Sequence, residues 1–335
     1  MTAATPAARS LPGSSTSATV VRGLRRNAWM LALMATFAGL LILTVAIRPT
    51  YNPADFESLV LGALPLAFAA AGQAIAVISG GIDLSIGSLI ALTNVSAAVL
   101  MRDAGDELSV GAVFIVLLIG LGAGALNGAL IVLTRVPDIV VTLAMLFVWQ
   151  GAALLVLSSQ GGSAPQWFKD FGDGPFLIDW LPRALVVLAV IVSLIWIPLR
   201  RSRLGLSLYA VGSDQVAALR SGVDVSRTKV VAYSVTGLFA ALGGLALTMS
   251  TGIGAPAANQ NNLLIGVAAI VLGGVSLAGG RGGLLGPITA AFILGLIRWD
   301  LAFLGVDPNW SVVVQGIIMV VVVMIGGLMT MRRSR

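Results

Sequence analysis

The sequence predicts an all-α polytopic membrane protein of about ten transmembrane helices with both termini in the cytoplasm. Three observations carry this. The 335 residues are 58% hydrophobic and only 10% charged, with a mean hydropathy of +1.00, where a soluble domain carries about 25% charged residues. The apolar residues fall in long unbroken runs near the length of about 20 needed to cross a bilayer, without the period-two polarity of a membrane barrel. The arginines gather in alternate connections, as membrane topology places them.

The elements follow in order. Residues 1–28 are small, polar and basic and read as a disordered cytoplasmic tail. The run behind them is longer than the apolar core of a signal peptide, so it reads as a retained first helix. Spans are expected at 29–48, 57–79, 84–101, 110–133, 139–158, 181–199, 230–250, 264–277, 284–304 and 311–329, the eighth being short and glycine-rich. They form one transmembrane domain over 29–330, closed by a basic C-terminus at 331–335. With ten spans, Arg22, Arg25, Arg26, Arg135, Arg200, Arg201, Arg203, Arg220, Arg227, Lys229, Arg281, Arg332, Arg333 and Arg335 all share one side, the cytoplasm. The opposite connections are acidic or mixed, with Asp55, Glu57, Asp103, Asp106, Glu107, Asp170 and Asp173.

Three local features stand out. At 76–92 an apolar run stops at Gly80-Gly81 and another begins behind Asp83. Two glycines end a helix in the left-handed conformation, and Asp83 accepts from free amides at the next helix start. A tight helical hairpin follows, with one carboxylate at its tip. GGIDLSIG at 80–87 is echoed by GGVSLAGG at 273–280. Gly120, Gly124 and Gly128 recur every four residues and form a small-residue stripe suited to helix packing.

Two connections exceed turn length. Residues 160–180 are aromatic-rich and read as an interfacial segment. Residues 200–228 are cytoplasmic and contain a short helix, capped by Ser213 or Asp214, running over 215–221 and ending at Gly222. Such a long connection reads as a docking element for a cytoplasmic partner.

Composition also excludes chemistry. There is no Cys and no His, so disulfides, thiol catalysis, imidazole triads and His- or Cys-based metal sites are absent, and no cofactor is implied. The two lysines, Lys169 and Lys229, follow no glycine-rich phosphate loop. The basic balance is spread over topology-setting connections, so nucleic acid is not an expected partner.

Several segments resemble one family. SGGIDLSIGSLIAL at 79–92, the Pro-x-Ile-Val-x-Thr-Leu pattern within 127–155, the stretch 202–245 and GGVSLAGGRGGLLGPITAAFILGLI at 273–297 are together similar to membrane permeases of bacterial ribose/xylose/galactose-type ABC importers. The resemblance covers most of 62–327. It implies a permease in the bacterial inner membrane that homodimerises around a central path and takes a monosaccharide or related polyol from a periplasmic or lipid-anchored binding protein. A separate tandem-domain ATPase would drive it, so the chain itself would not be an enzyme. Membrane lipid is the remaining partner. The chain departs from the family at 212–218, where a more acidic stretch is common, and at Arg298-Trp299-Asp300, where relatives often carry Asn.

For coupling to the ATPase the candidates are Asp214, Ala217, Ala218, Arg220, Ser221 and Gly222: small residues admit close packing in a partner groove, and Asp214 also caps the helix. The pathway candidates are the polar residues within or between spans, Gln73, Asp83, Asn94, Asn127, Gln150 and Gln315. Amides in hydrocarbon also bond between helices. Collectively they favour a neutral, hydroxyl-rich solute, since ion paths use buried carboxylates or charge rings. A stand-alone secondary transporter or channel for a small neutral solute is the alternative, and would need no docking loop.

Overall fold

A computed structural model describes residues 28–102, 104–257 and 262–307, with scattered positions between 310 and 324. The described residues form twelve helices: α1 (Ala28–Ile47), α2 (Pro53–Ile78), α3 (Ile86–Arg102), α4 (Asp106–Thr134), α5 (Asp138–Val156), α6 (Gln166–Gly172), α7 (Arg183–Arg201), α8 (Arg203–Ser213), α9 (Gln215–Arg220), α10 (Val225–Thr251), α11 (Asn262–Leu272) and α12 (Leu285–Phe303). Seven of them are long and apolar enough to cross a membrane.

Nine expected spans coincide with a helix, but two helices fall short of the expectation. The third has 17 residues. The eighth stops after 11 residues at Leu272, because Gly273-Gly274 ends it before 277. The basic tail at 1–27, the span at 311–329 for the most part and the basic C-terminus lie outside the described residues. The 200–228 connection holds more helix than expected. α7 runs on to Arg201, and Ser202 then caps a new helix by accepting from the Gly205 amide at 3.1 Å. Gly205, Leu208, Val211 and Gly212 form the buried face of that helix, a spacing of three and four that the sequence already carries.

The helices form an inner and an outer layer. In α2, 89% of the apolar window is buried, against 11% in α1. Helices α2, α3 and α10 form the inner layer, and α1, α4, α5 and α7 turn apolar side chains such as Ile42, Phe114, Phe147 and Leu194 outward. Small residues make the inner contacts close. A Cβ on Gly237 of α10 would overlap the Gly120 carbonyl of α4, and one on Gly128 would stand 2.8 Å from the Val230 Cα. The stripe at 120, 124 and 128 is therefore the crossing surface for α10. Thr236 adds a hydrogen bond to the Gly72 carbonyl of α2 at 3.0 Å.

Successive connections alternate between the two ends of the bundle. At one end lie the α2–α3 turn, the α4–α5 turn, α8, and the α11–α12 loop. At the other, Ser163 donates to the Ala98 carbonyl at 3.1 Å, and Gly161 and Gly254 exchange both backbone bonds. The sequence echo is structural. Gly80 and Gly274 both have left-handed φ, and the residue after each donates five positions back: Gly81 to Ala76 at 3.0 Å and Val275 to Ile270 at 3.0 Å. Both are Schellman closures, offset by one residue from the sequence match. The two turns meet where the Gly280 amide donates to the Ile78 carbonyl at 3.0 Å.

Gly237→Val should sharply reduce the amount of inserted protein, since overpacking a tight contact costs about 1–3 kcal/mol or more. Gly122→Ala, where a Cβ meets nothing within 4 Å, should leave it unchanged. Quantifying each variant in membranes against wild type checks both; equal levels for the two would refute the crossing.

Candidate functional site

The α2–α3 turn is a buried polar place. Ser79, Asp83 and Ser85 are all buried. Asp83 Oδ1 accepts from the Ser85 amide at 2.8 Å and the Ser85 hydroxyl at 2.7 Å, which fixes the start of α3. The expected capping role is therefore met through Ser85. Asn127 of α4 donates to the Ser85 hydroxyl at 2.7 Å and accepts from the Trp149 indole of α5 at 3.1 Å. With its amide turned to suit both neighbours, Gln73 donates to the Asp83 carbonyl at 2.9 Å and accepts from its amide at 3.3 Å. Burial pushes the Asp83 carboxyl above its ordinary range; the Ser85 and Asn127 bonds oppose this, and the nearby Asp138 charge adds to it.

A second cluster adjoins the first. Lys229 of α10 holds both carboxylate oxygens of Asp138, the first residue of α5, at 2.7 and 2.8 Å. The Tyr233 hydroxyl donates to Asp138 at 3.0 Å, and Thr142 donates to the Ile82 carbonyl at 3.1 Å. The pair is nearly closed to solvent, with side-chain exposures of 11% and 12%. Asp138, Thr142, Lys229, Tyr233, Ser85 and Trp149 were not among the expected site residues. One signal pointed to two of them: Asp138 and Thr142 both lie inside the Pro-x-Ile-Val-x-Thr-Leu pattern.

The structure thus brings Gln73, Asp83 and Asn127 together at one end of the bundle. It places Asn94 and Gln150 at the other, where both clamp the segment after α10. Asn94 donates to the Ile253 carbonyl at 3.1 Å and accepts from the Ala255 amide at 2.7 Å, while Gln150 donates to the Pro256 carbonyl at 2.8 Å. Gln315 lies outside the described residues.

The coupling candidates sit on α9 at the same end as the turn. Asp214 accepts from the amides of Val216 and Ala217, both at 2.9 Å. Gly222 closes the helix with φ of +83°, and Val223 donates to the Ala218 carbonyl at 3.0 Å, a further Schellman ending. Ala218 packs inward, whereas Asp214, Ala217, Arg220, Ser221 and Gly222 are exposed. Val216 and Leu219, 59% and 64% exposed, supply the apolar surface, which the choice of small residues had passed over. From α8, Gly212 lies so close to the Ile78 carbonyl that a Cβ there would overlap it.

The fold is that of a polytopic helical membrane protein. The chain belongs to the family described as the branched-chain amino acid transport system / permease component, whose model matches residues 55–323. It is 33% identical over 299 residues to the ribose import permease protein RbsC of Bacillus subtilis, covering 87% of this chain and 92% of that one. It is 30% identical over 313 residues to RbsC of Escherichia coli (strain K12), covering 89% and 94%. It is likewise 30% identical to the autoinducer 2 import system permease protein LsrD of the same strain, covering 89% and 92%. No solved structure matches the chain.

Lys229→Met should lower stability by about 3–5 kcal/mol, because it strands a buried carboxylate. Adding Asp138→Asn should restore most of the loss. Thermal unfolding of the purified variants in detergent checks this; additive losses would refute the pairing.

Proposed function

We propose that this chain is the transmembrane permease subunit of an ATP-driven importer for a monosaccharide or related polyol in the bacterial inner membrane. Its partners in this reading are a second copy of itself, a separate tandem-domain ATPase, a periplasmic or lipid-anchored binding protein, and surrounding lipid. The names of its relatives support the substrate class: two are ribose import permeases and one belongs to an autoinducer 2 import system.

The observation that carries the reading is the construction of α8 and α9. They present Val216 and Leu219 outward on a helix capped at both ends, while the Gly212 backbone rests on Ile78 and Gly280. A partner seated on α9 then pushes through α8 on the α2–α3 turn, whose polar residues Gln73, Asp83 and Asn127 flank the path. The docking residues are Asp214, Ala217, Ala218, Arg220, Ser221 and Gly222, joined by the two apolar ones. The α9 end faces the cytoplasm, because Arg135, Arg200, Arg201, Arg203, Arg220, Arg227 and Arg281 all lie there. Both termini then lie inside.

Reporter fusions after residue 335 and within 160–180 should register opposite compartments; a shared compartment would refute the orientation. Leu219→Glu should leave insertion intact and weaken ATPase binding about thirtyfold, as loss of an interface anchor worth about 2 kcal/mol does. Uptake into reconstituted vesicles should fall with it. Unchanged ATPase binding by a stably inserted Leu219→Glu protein would refute the docking assignment, and uptake independent of ATP would refute the importer.

A further inference from the structure

Two charged residues of α12 belong to neither cluster, Arg298, which is exposed, and Asp300, which is buried. A cavity of about 300 Å³ lies between α2, α11 and α12, bordered by Gly62, Ala63, Ile265, Gly295, Arg298 and Trp299. Arg298 is 13 residues beyond Leu285, the first residue of α12, which is about 20 Å along the helix. The Cβ of a helical residue tilts toward the N-terminus, so the side chain leaves the backbone pointing toward the middle of the span rather than its nearer end. Its guanidinium makes no hydrogen bond or ion pair among the described residues. Asp300 does not neutralise it: that carboxylate accepts from Thr44 of α1 at 2.8 Å, and positions two apart face different ways on a helix. The Trp299 indole N–H has no acceptor among the described residues, as is also true of Trp180 and Trp196, while Trp29, Trp149 and Trp167 each donate to one.

An ionisable group within a span marks a water-filled path or ligand site by default, because hydrocarbon around it is costly. Here the neighbouring helices leave room for one. A Cβ on Gly295 would reach Ala63 at 3.5 Å, and one on Gly62 would reach the Trp299 indole nitrogen at 3.9 Å. The volume matches about ten waters, the scale of a single sugar ring. The donors are a planar fork, suited to a pair of adjacent oxygens, and an aromatic ring with a polar edge.

We propose that this cavity is a monosaccharide-binding station within the permease, a step that rests on the importer reading. The apolar face of the sugar ring lies on Trp299, and two vicinal hydroxyls accept from the Arg298 guanidinium. A neutral sugar fits better than an acidic one, since stripping water from an anion costs far more than from a hydroxyl.

The chain has no cysteine, so Gly295→Cys in otherwise native protein gives a single reporter. N-ethylmaleimide reacts with the thiolate, which forms only where water reaches. The purified protein is labelled in lipid nanodiscs with and without D-ribose, D-xylose, D-galactose or D-galacturonate. Labelling should proceed, and at least one neutral sugar should slow it, about tenfold at about nine times its Kd. Arg298→Gln and Trp299→Leu, each added to the reporter, should keep labelling and lose protection. No labelling, no protection by any of the four sugars, or protection that survives both substitutions would overturn the site. Protection by galacturonate alone would overturn the neutral-sugar assignment. If Gly295→Cys does not insert, Gly62→Cys replaces it. ATP-driven uptake by the reconstituted wild type is measured separately. Protection without such uptake removes the importer reading and leaves the site; uptake without protection removes the site alone.

Discussion

A chain that breaks its helices within a buried core must satisfy the exposed backbone from within the protein. The turn between α2 and α3 is where this chain meets that demand. The Ile78 carbonyl takes the Gly280 amide, and the Ile82 carbonyl takes the Thr142 hydroxyl, with the Tyr233 hydroxyl that donates to Asp138 beside it at 3.4 Å. Gln73 pairs both backbone groups of Asp83. Each partner comes from a different element, so satisfying one short turn fixes α5, α10 and the α11–α12 loop around it. The ion pair of Asp138 and Lys229 belongs to the same requirement, for it holds Tyr233 and the start of α5 in reach of that turn.

Glycine makes this convergence sterically possible. Gly80, Gly212, Gly279 and Gly280 meet backbone to backbone, and any Cβ on Gly212 would collide with Ile78. The α8 helix therefore rests directly on the end of α2 with no side chain between. The described molecule thus has direct backbone contact between α8, which adjoins the exposed helix α9, and the α2–α3 turn.

The same accounting separates the two ends. Asn94 and Gln150 bind the backbone after α10 and hold the opposite end closed upon itself through Gly161 and Gly254. Between the ends, Arg298 and Trp299 keep donors that the described protein does not use. Other polar atoms, the Tyr51 hydroxyl and one oxygen each of Asp83 and Asp300, are buried without a partner away from that cavity.

The sequence by itself determined the class of protein, nine of the helices near their observed places, the capped hairpin at Gly80 and Asp83, the packing stripe at Gly120, Gly124 and Gly128, and the capped helix after Asp214. These depend on composition, local periodicity and capping, which act over a few residues. It also held the buried spacing of α8 over Gly205, Leu208 and Gly212, though an amphipathic run between arginines reads equally as a surface loop. Only the tertiary structure decided which polar residues share a site. Lys229 and Asp138 lie 91 positions apart, and Asn127 meets Ser85 across 42. Asn94 and Gln73 carry the same amide on neighbouring inner helices, yet they serve opposite ends of the bundle. Hydrogen-bond partners in lipid are chosen by which backbone groups a helix break leaves open, and that is settled only when the helices pack.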